Sequence, residues 1–363
     1  MKRHALHRVS LPVNRPGFSL TELLVAMTIA LMVMGSVASL FGVFGRGLSG
    51  SQATVELSSR VRAASWQLRK DLAGVTCDVV PWLSPEADAG YFEYIEGPRN
   101  DQSAAHDTAN LEADTDDVLL FTARAIDHPF VGTVIMNGIA AGTAESDRAE
   151  IAWFCKAAAS QPVAGLTMHN LYRRQLLVSA VPGAGAFSAA ARIAGTAASP
   201  WSIRTVSGTS YANSLGDLTK REHRFLRGGT FPFAFLSGTA AGATFDGTDQ
   251  EGDDVVLTNV IAFDVRAYDP QAGGYIDLNA GGTGVFAGAP AAKSGLTTPT
   301  YDTWSTHYEF ANPPAAGLND PAQYTRGPPY PVPLRGIEVR IRCYEPTSKQ
   351  IRQITVRHTF VKK

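Results

Sequence analysis

The sequence lacks the short motifs that mark common catalytic sites. It contains no G-x-S-x-G, H-E-x-x-H, paired C-x-x-C or G-x-x-x-x-G-K-[ST] pattern. These patterns mark serine hydrolases, zinc peptidases, thiol or metal sites and nucleotide-binding loops. We therefore expect a protein that is not an enzyme. Only a site assembled from residues far apart in the sequence would escape this test.

The chain also has few cysteines and little excess charge. Its cysteines, Cys77, Cys155 and Cys343, are odd in number, so at most one pair can form within the chain. A net charge of −1 and a pI near 6.7 give no global signal for a nucleic-acid-binding protein. The content of 45% hydrophobic and 18% charged residues is ordinary for a globular protein with a substantial core.

Basic charge is concentrated at the start of the chain and is followed by a long apolar run. Residues 1–17 contain Lys2, Arg3, Arg8 and Arg15 and no acidic residue. From Leu23 to Phe44 about 22 residues pass without a charge, which is enough for a helix to span a hydrocarbon core of roughly 30 Å. The positive-inside rule places the basic end in the cytoplasm and the rest of the chain outside.

Three interpretations fit this N-terminal segment. A cleaved secretory signal would use the small residues at 36–38 as its cleavage site, and an uncleaved signal anchor would keep the whole run. Neither explains Glu22, because a lone carboxylate in hydrocarbon costs several kcal/mol, with roughly 2.5–3.5 as the low estimate. Neither explains why Gly17 and Phe18 lie where the basic and apolar parts meet.

The stretch GFSLTELL, residues 17–24, resembles the cleavage and methylation motif of type IV pilins and type II secretion pseudopilins. In that family a membrane-embedded prepilin peptidase cuts after the glycine and methylates the new N-terminal residue. The resemblance implies cleavage between Gly17 and Phe18, methylation of Phe18, and a leader peptide at 1–17. It also implies that Glu22, at mature position five, meets the Phe18 amine of a neighbouring subunit, so that other pilins are partners through this helix.

The chemistry of Glu22 fits that role. Glu22 lies one helical turn after Phe18, and a carboxylate in the first turn is favoured by the helix dipole. A charge in a membrane span usually faces a protein partner and not lipid. The alternative is a glutamate that reaches the cytoplasmic interface by snorkelling.

The helix is predicted to continue beyond the membrane. The apolar residues of the next stretch follow helical three-and-four spacing, which predicts an amphipathic helix. They are Leu57, Val61, Ala64, Leu68, Leu72 and Val75. We expect one helix over 18–75, transmembrane over 18–44 and amphipathic over 45–75, with a length of roughly 85 Å.

After residue 75 the pattern changes to short runs of branched and aromatic residues bounded by Gly, Pro, Asp or Asn, which predicts strands. The predicted strands are Asp116–Ala125, Ala149–Cys155, Leu171–Val178, Val255–Asp269 and Ile337–Glu345. Long Ala-, Gly- and Ser-rich stretches separate them and read as loop insertions. The predicted fold is therefore α+β, with a long N-terminal helix packed on a large, mainly antiparallel β head at 76–363.

The last predicted strand alternates clearly between two kinds of residue. Ile337, Val339, Ile341 and Cys343 alternate with Glu338, Arg340, Arg342 and Tyr344, so we expect one buried and one wet face. A turn at 346–349 leads into QIRQITVRHTFV, and the two segments are predicted to form a C-terminal antiparallel hairpin. On its second strand Ile354, Val356, His358 and Phe360 share one face.

Two acidic groups, at 112–117 and 246–254, suggest calcium, because clustered carboxylates supply the oxygen ligands that Ca²⁺ takes. The candidate ligands in the second group are Asp246, Asp249, Glu251, Asp253 and Asp254. Neither group follows EF-hand spacing, and a solvated acidic loop is the alternative. We expect no other cofactor.

The cysteines leave two alternatives open. If Cys343 faces the core, Cys77 and Cys155 remain as a candidate disulfide outside the cytoplasm. Otherwise all three thiols are reduced and buried. The basic stretch TKREHRFLR, 219–227, could in principle touch nucleic acid, but a solvated charged surface is the expected interpretation and nucleic acid is not an expected partner.

The order and composition of the predicted strands in the head are most similar to those of the PilW and J-type pseudopilin group. The resemblance implies a minor pilin or pseudopilin of a type IV pilus or type II secretion system, placed at the tip or in assembly priming. Such a protein crosses the inner membrane once, keeps its head outside the cytoplasm, contacts membrane lipid and can be extracted into the filament. The alternatives are a membrane-anchored binding protein or adhesin, and a secreted enzyme cleaved near residue 38.

Overall fold

The computed structural model describes residues 17–81, 83–97, 114–136, 139–181, 186–187, 197–198, 200–206, 209–226, 253–294, 296, 298–303 and 327–361. Most of the expected leader, 1–16, therefore lies outside the described residues. The chain divides into two compact units, Met1–Ala53 and Thr54–Lys363. The two units are described separately.

In the described residues, one long helix is followed by a series of strands with only short helical turns between them. The helices are α1 (Leu20–Ala73) and α2 (Leu215–Leu218), with 3-10 turns at Pro85–Ala87, Arg221–Leu226 and Ala292–Ser294. The strands are β1 (Phe92–Ile95), β2 (Val118–Arg124), β3 (Phe130–Met136), β4 (Ile139–Ser146), β5 (Arg148–Ala157), β6 (His169–Leu177), β7 (Ala186–Phe187), β8 (Ala197–Ala198), β9 (Ile203–Val206), β10 (Thr209–Ala212), β11 (Asp253–Asp269), β12 (Gly274–Ile276), β13 (Thr300–Asp302), β14 (Gly336–Glu345) and β15 (Gln350–Thr359).

The second unit contains a large antiparallel sheet. Its strand order is β13-β1-β2-β5-β6-β11-β14-β15, with β12 paired to β11, and every pairing is antiparallel. Two small three-stranded sheets, β7-β10-β9 and β4-β3-β8, accompany it. The predicted α+β architecture of a long helix followed by an antiparallel head is therefore confirmed.

One face of the large sheet is covered by the second part of α1. The predicted apolar stripe is confirmed, because Leu57, Val61, Ala64, Leu68 and Leu72 are buried in one core with residues of β1, β2, β5, β11, β14 and β15. Val75 is partly buried against the same core. The 3.6-residue helical period thus places one face of α1 against the sheet.

The opposite face of the sheet is covered as well, at its β1–β2–β5 end. In β2 the residues Leu119 and Phe121 belong to the core below α1, whereas Val118 and Leu120 pack with Leu215 and others on the other side. Successive side chains of a strand point to opposite faces. Strands of this region are therefore buried on both faces.

The C-terminal hairpin is confirmed, with one correction. β14 and β15 pair over their whole length, and Ile337, Val339, Ile341 and Cys343 are fully buried. The other face of β14 was expected to be wet, and this is wrong for Glu338, Arg342 and Tyr344, which are buried. Glu338 accepts hydrogen bonds from Arg340 and Arg357, and Tyr344 packs with Leu166, Met168 and Ile261. Paired charges and a small apolar cluster therefore exclude water from that face.

Candidate functional site

The residues of the N-terminal motif lie at the start of the described chain, in the first unit. Gly17 and Phe18 precede the helix and are exposed, with Phe18 at 85%. Apart from Gly17 itself and its two chain neighbours, no described heavy atom lies within 4 Å of the position that a Cβ on Gly17 would take. The Gly17–Phe18 peptide bond is thus in accessible, non-helical chain, which is the form that a peptidase needs.

Glu22 belongs to a capping box at the start of α1. The Ser19 hydroxyl oxygen accepts a hydrogen bond from the Glu22 amide at 3.2 Å, and Glu22 Oε2 accepts from the Ser19 amide at 3.2 Å. This reciprocal pair satisfies two backbone donors that a helix start otherwise leaves unpaired. The S-x-x-E pattern is present in the sequence and would have predicted Ser19 as the N-cap, but it was not used as a signal.

The cap uses only one of the two Glu22 carboxylate oxygens. Both Ser19 donors, the amide and the hydroxyl, reach Oε2, and within the described residues Oε1 has no hydrogen-bond partner. Glu22 is exposed in the isolated chain. One oxygen can therefore hold the helix start while the other remains available to a cation.

The apolar part of α1 is exposed along its length, as expected of a membrane span. All residues from Leu23 to Phe44 are exposed, and α1 is the one described helix that is long and apolar enough to cross a bilayer. Two of its hydroxyl groups are satisfied internally, since Thr28 donates to the Val25 carbonyl at 2.8 Å and Ser36 to the Met32 carbonyl at 2.9 Å. No polar group of these side chains needs lipid as a partner.

Only two of the five predicted calcium ligands of the second acidic group lie in the described part of the chain. Asp246, Asp249 and Glu251 lie outside the described residues. Asp253 and Asp254 form the start of β11, where they pair in register with Arg174 and Arg173, and Asp254 is exposed. The described residues bring no metal-ligand group together at this position.

The candidate Cys77–Cys155 disulfide is absent from the structure, in which all three cysteines are free and buried. The two thiols have different surroundings. Burial raises the pKa of Cys77 to about 12, and its charged neighbours are Arg224 and Asp78. Burial also raises the pKa of Cys155, whose neighbours are Cys343, Asp114 and Asp116. The alternative of three buried thiols thus describes the structure.

The basic stretch at 219–227 is largely internal. Arg221 and Arg224 are buried, and both form ion pairs with Glu93 of β1 and Asp302 of β13 at 2.7–3.1 Å. The Arg224 guanidinium also lies 3.8 Å from the centre of the Tyr91 ring. These two arginines are therefore part of the head interior and not a solvated basic surface, which corrects the interpretation of this stretch.

A second carboxylate group, with two of its three residues in a predicted acidic segment, lies inside the head. Glu96, Asp114 and Asp117 are each at most 1% exposed, and one carboxylate oxygen from each lies within 4.8 Å of the others. Burial raises the pKa of Glu96 to about 9 and that of Asp114 to about 11. Asp114 and Asp117 belong to the first acidic group, whereas Glu96 is separated from it along the chain and gave no sequence signal.

Residues 13–38 match the family described as the prokaryotic N-terminal methylation motif. This is the prepilin motif of type IV pilins and pseudopilins, so the predicted resemblance is confirmed at the level of the motif. No curated protein and no solved structure matches the chain. The motif and the apolar helix together support a membrane-anchored, type IV pilin-like protein.

Proposed function

We propose, from the premise that the chain carries the prepilin motif, that it is a minor pilin or pseudopilin of a type IV pilus or type II secretion pseudopilus. The observation that carries the proposal is the match at 13–38, which ends inside a helix able to cross a bilayer. Proteins with this motif are structural and not enzymatic, and we assign the head no catalytic role. A prepilin peptidase cuts the Gly17–Phe18 bond and methylates Phe18.

The orientation in the membrane follows from charge. Lys2, Arg3, Arg8 and Arg15 precede the apolar span, and residues 1–17 contain no acid. The positive-inside rule then leaves the start of the chain in the cytoplasm and places the head outside the inner membrane. From there the subunit is extracted into the filament.

Subunit pairing is the role we assign to the Glu22 charge. After cleavage the Phe18 amine is a cation at the cytoplasmic end of an apolar helix. Glu22 Oε1, which has no partner among the described residues, pairs with the amine of a neighbouring subunit. An unpaired carboxylate in a membrane span is expensive, so assembly removes a penalty that the single subunit carries.

Glu22→Gln and Ser19→Ala separate this pairing from helix capping. Gln keeps the capping acceptor but removes the charge, whereas Ser19→Ala removes the cap, worth about 1 kcal/mol, and keeps the charge. We expect Glu22→Gln to reduce the protein in sheared filaments at least tenfold and Ser19→Ala to reduce it less than twofold, by immunoblot against the membrane fraction.

Glu56→Gln is the matched control, since Glu56 is an exposed residue of the same helix paired with Arg60. Its level in filaments should equal that of the unaltered protein. Equal losses for Glu22→Gln and Ser19→Ala would mean that Glu22 acts as a cap. Normal assembly of Glu22→Gln would show that filament assembly does not need the Glu22 charge.

The size of the head supports a position at the tip. The second unit extends from Thr54 to Lys363, and a head this large would crowd a uniform shaft of closely packed helices. We expect immunogold label against the head at one filament end only. Label spaced along the shaft would contradict a tip or priming role.

A further inference from the structure

Among the described residues, one group of carboxylates inside the head has no lysine or arginine to balance it. Glu96 follows β1, and Asp114 and Asp117 precede β2; none of the three forms an ion pair with a described lysine or arginine. Their neighbour Asp264 differs, since it lies 3.2 Å from Arg266 and 3.7 Å from Arg340. Within the described part of the head, arginines therefore pair with the adjacent carboxylate and with none of these three.

Two oxygens of the group also lack hydrogen bonds. Glu96 Oε2 accepts from the Tyr94 hydroxyl and from the Leu278 amide, but Glu96 Oε1 is buried with no partner in the described structure. Asp114 Oδ1 accepts from the Asp116 amide at 3.2 Å, while Asp114 Oδ2 is buried without one. Buried polar atoms are rarely left unpaired, so each such atom indicates a missing partner.

The third carboxylate is held rigidly by backbone. Asp117 Oδ1 accepts from the Gly97 amide at 3.0 Å, and Asp117 Oδ2 accepts from the Val265 amide of β11 at 2.7 Å. Its two oxygens are thus fixed relative to both β1 and β11. The Asp114 carbonyl accepts from the Phe263 amide at 2.7 Å, which fixes the other aspartate to the same strand. Backbone hydrogen bonds therefore fix both aspartates beside the ends of sheet strands.

We propose that Glu96, Asp114 and Asp117 bind one calcium ion inside the head. Two oxygens bound to the same Ca²⁺ at about 2.4 Å can be at most about 4.8 Å apart, and one oxygen from each of these residues falls within 4.8 Å of the others. The donor set is oxygen only, which suits a hard cation and not zinc or copper. The ion would tie the end of β1 and the start of β2 to the middle of β11.

The direct test is calcium binding by the full-length mature protein, purified in detergent and stripped of metal with EGTA. We expect about one calcium per chain by elemental analysis after dialysis against Ca²⁺, and a rise in Tm of about 5 °C or more at saturating Ca²⁺. Mg²⁺ should give a smaller shift, because it demands a tighter octahedral site. An unchanged Tm with no bound calcium overturns the proposal, and so does an equal or larger shift with Mg²⁺.

Paired variants locate the site. The double substitution Glu96→Gln and Asp114→Asn should abolish the shift and the bound calcium. It should also keep the calcium-free Tm at least as high, since Gln and Asn retain the shape of the two side chains and cannot carry a buried negative charge. Asp249→Asn with Glu251→Gln, in the other acidic group, should leave the response intact. If the Asp249 and Glu251 variant lost the response and the Glu96 and Asp114 variant kept it, the calcium would lie in the other acidic group and the proposal would be wrong. The wild-type titration decides the question even if a variant fails to fold, and it does not depend on filament assembly.

Discussion

At the residue scale, His223 is a half-buried base in the second unit, close in sequence to the internal arginines Arg221 and Arg224. Burial lowers the pKa of His223 to about 4, and Lys220 and Arg204 add to this effect. Its Nδ1 lies 3.0 Å from the Asp217 carbonyl oxygen, so the neutral ring can donate there. The Asp217 side chain acts in the opposite direction but does not outweigh burial.

This arrangement predicts a loss of stability in mild acid. The folded pKa lies below the ordinary value of 6.5, so protonation favours the unfolded state; the stabilisation is complete above about pH 6.5 and is lost as pH falls toward 4. We expect the free energy of unfolding to drop by roughly 1–2 kcal/mol between pH 7 and pH 5 from this residue. Urea unfolding at both pH values measures it.

His223→Gln is the comparison protein, because other groups titrate in the same range. The variant should lose less stability over that interval than the unaltered protein. Equal pH dependence in the two proteins would show that His223 does not carry the effect.

Single residues differ in how far the sequence predicts them. Gly17, Phe18 and Glu22 could be proposed as site residues because the motif is contiguous, and the Ser19 cap could have been predicted from the S-x-x-E spacing. Glu96 could not, since its neighbours in space, Asp114 and Asp117, are brought to it only by pairing of β1 with β2. Local patterns predict local contacts, and a cluster built across strands has no local pattern.

At the element scale, Asp71 attaches the end of α1 to the sheet. It is buried, and its carboxylate accepts hydrogen bonds from Trp153 Nε1 of β5 at 3.0 Å and from Arg173 Nε of β6 at 2.6 Å. A second bond from Arg173 Nη2 at 2.9 Å makes the pair bidentate. The apolar stripe of α1 sets which face of the helix meets the sheet, and Asp71 adds a directional contact at one position.

Asp71→Ala should therefore be strongly destabilising. It leaves the Arg173 guanidinium buried without its carboxylate, which typically costs about 3–5 kcal/mol. Asp71→Asn, which keeps an acceptor, should cost less. Asp127→Asn is the matched control, because Asp127 pairs with the neighbouring helix residue Lys70 at 3.2 Å on the surface and such pairs contribute about 0–1 kcal/mol. Chemical unfolding followed by tryptophan fluorescence gives all three values, and similar costs for Asp71→Ala and Asp127→Asn would contradict the assigned role.

The elements themselves were largely predictable. The helix and the predicted strands follow from residue spacing, because period 3.6 and period 2 patterns are local properties of the chain. The prediction that one face of β14 is exposed to solvent was wrong, because alternation in one strand shows only which residues are polar. It does not report whether partners such as Arg357 cover them.

At the scale of the whole molecule, the order of strands in the large sheet could not be predicted. β13 pairs with β1 and β11 lies between β6 and β14, pairings that join segments far apart in sequence. Such pairing depends on which surfaces fit together and not on any local signal. The α+β class, in contrast, follows from the sum of the elements.

The exposed apolar part of α1 links the N-terminal motif to the proposed function of the whole molecule. A helix with exposed apolar residues from Leu23 to Phe44 is stable only in lipid or among similar helices, and the proposed function moves it from the first to the second after processing at the prepilin motif. The account therefore depends on where the mature chain begins.

Mass spectrometry of the N-terminal peptide of the protein isolated from cells tests this most directly. The account predicts a chain that begins at Phe18 and carries one methyl group on its amine. A chain that begins at Met1, or just after Ala38, would contradict it.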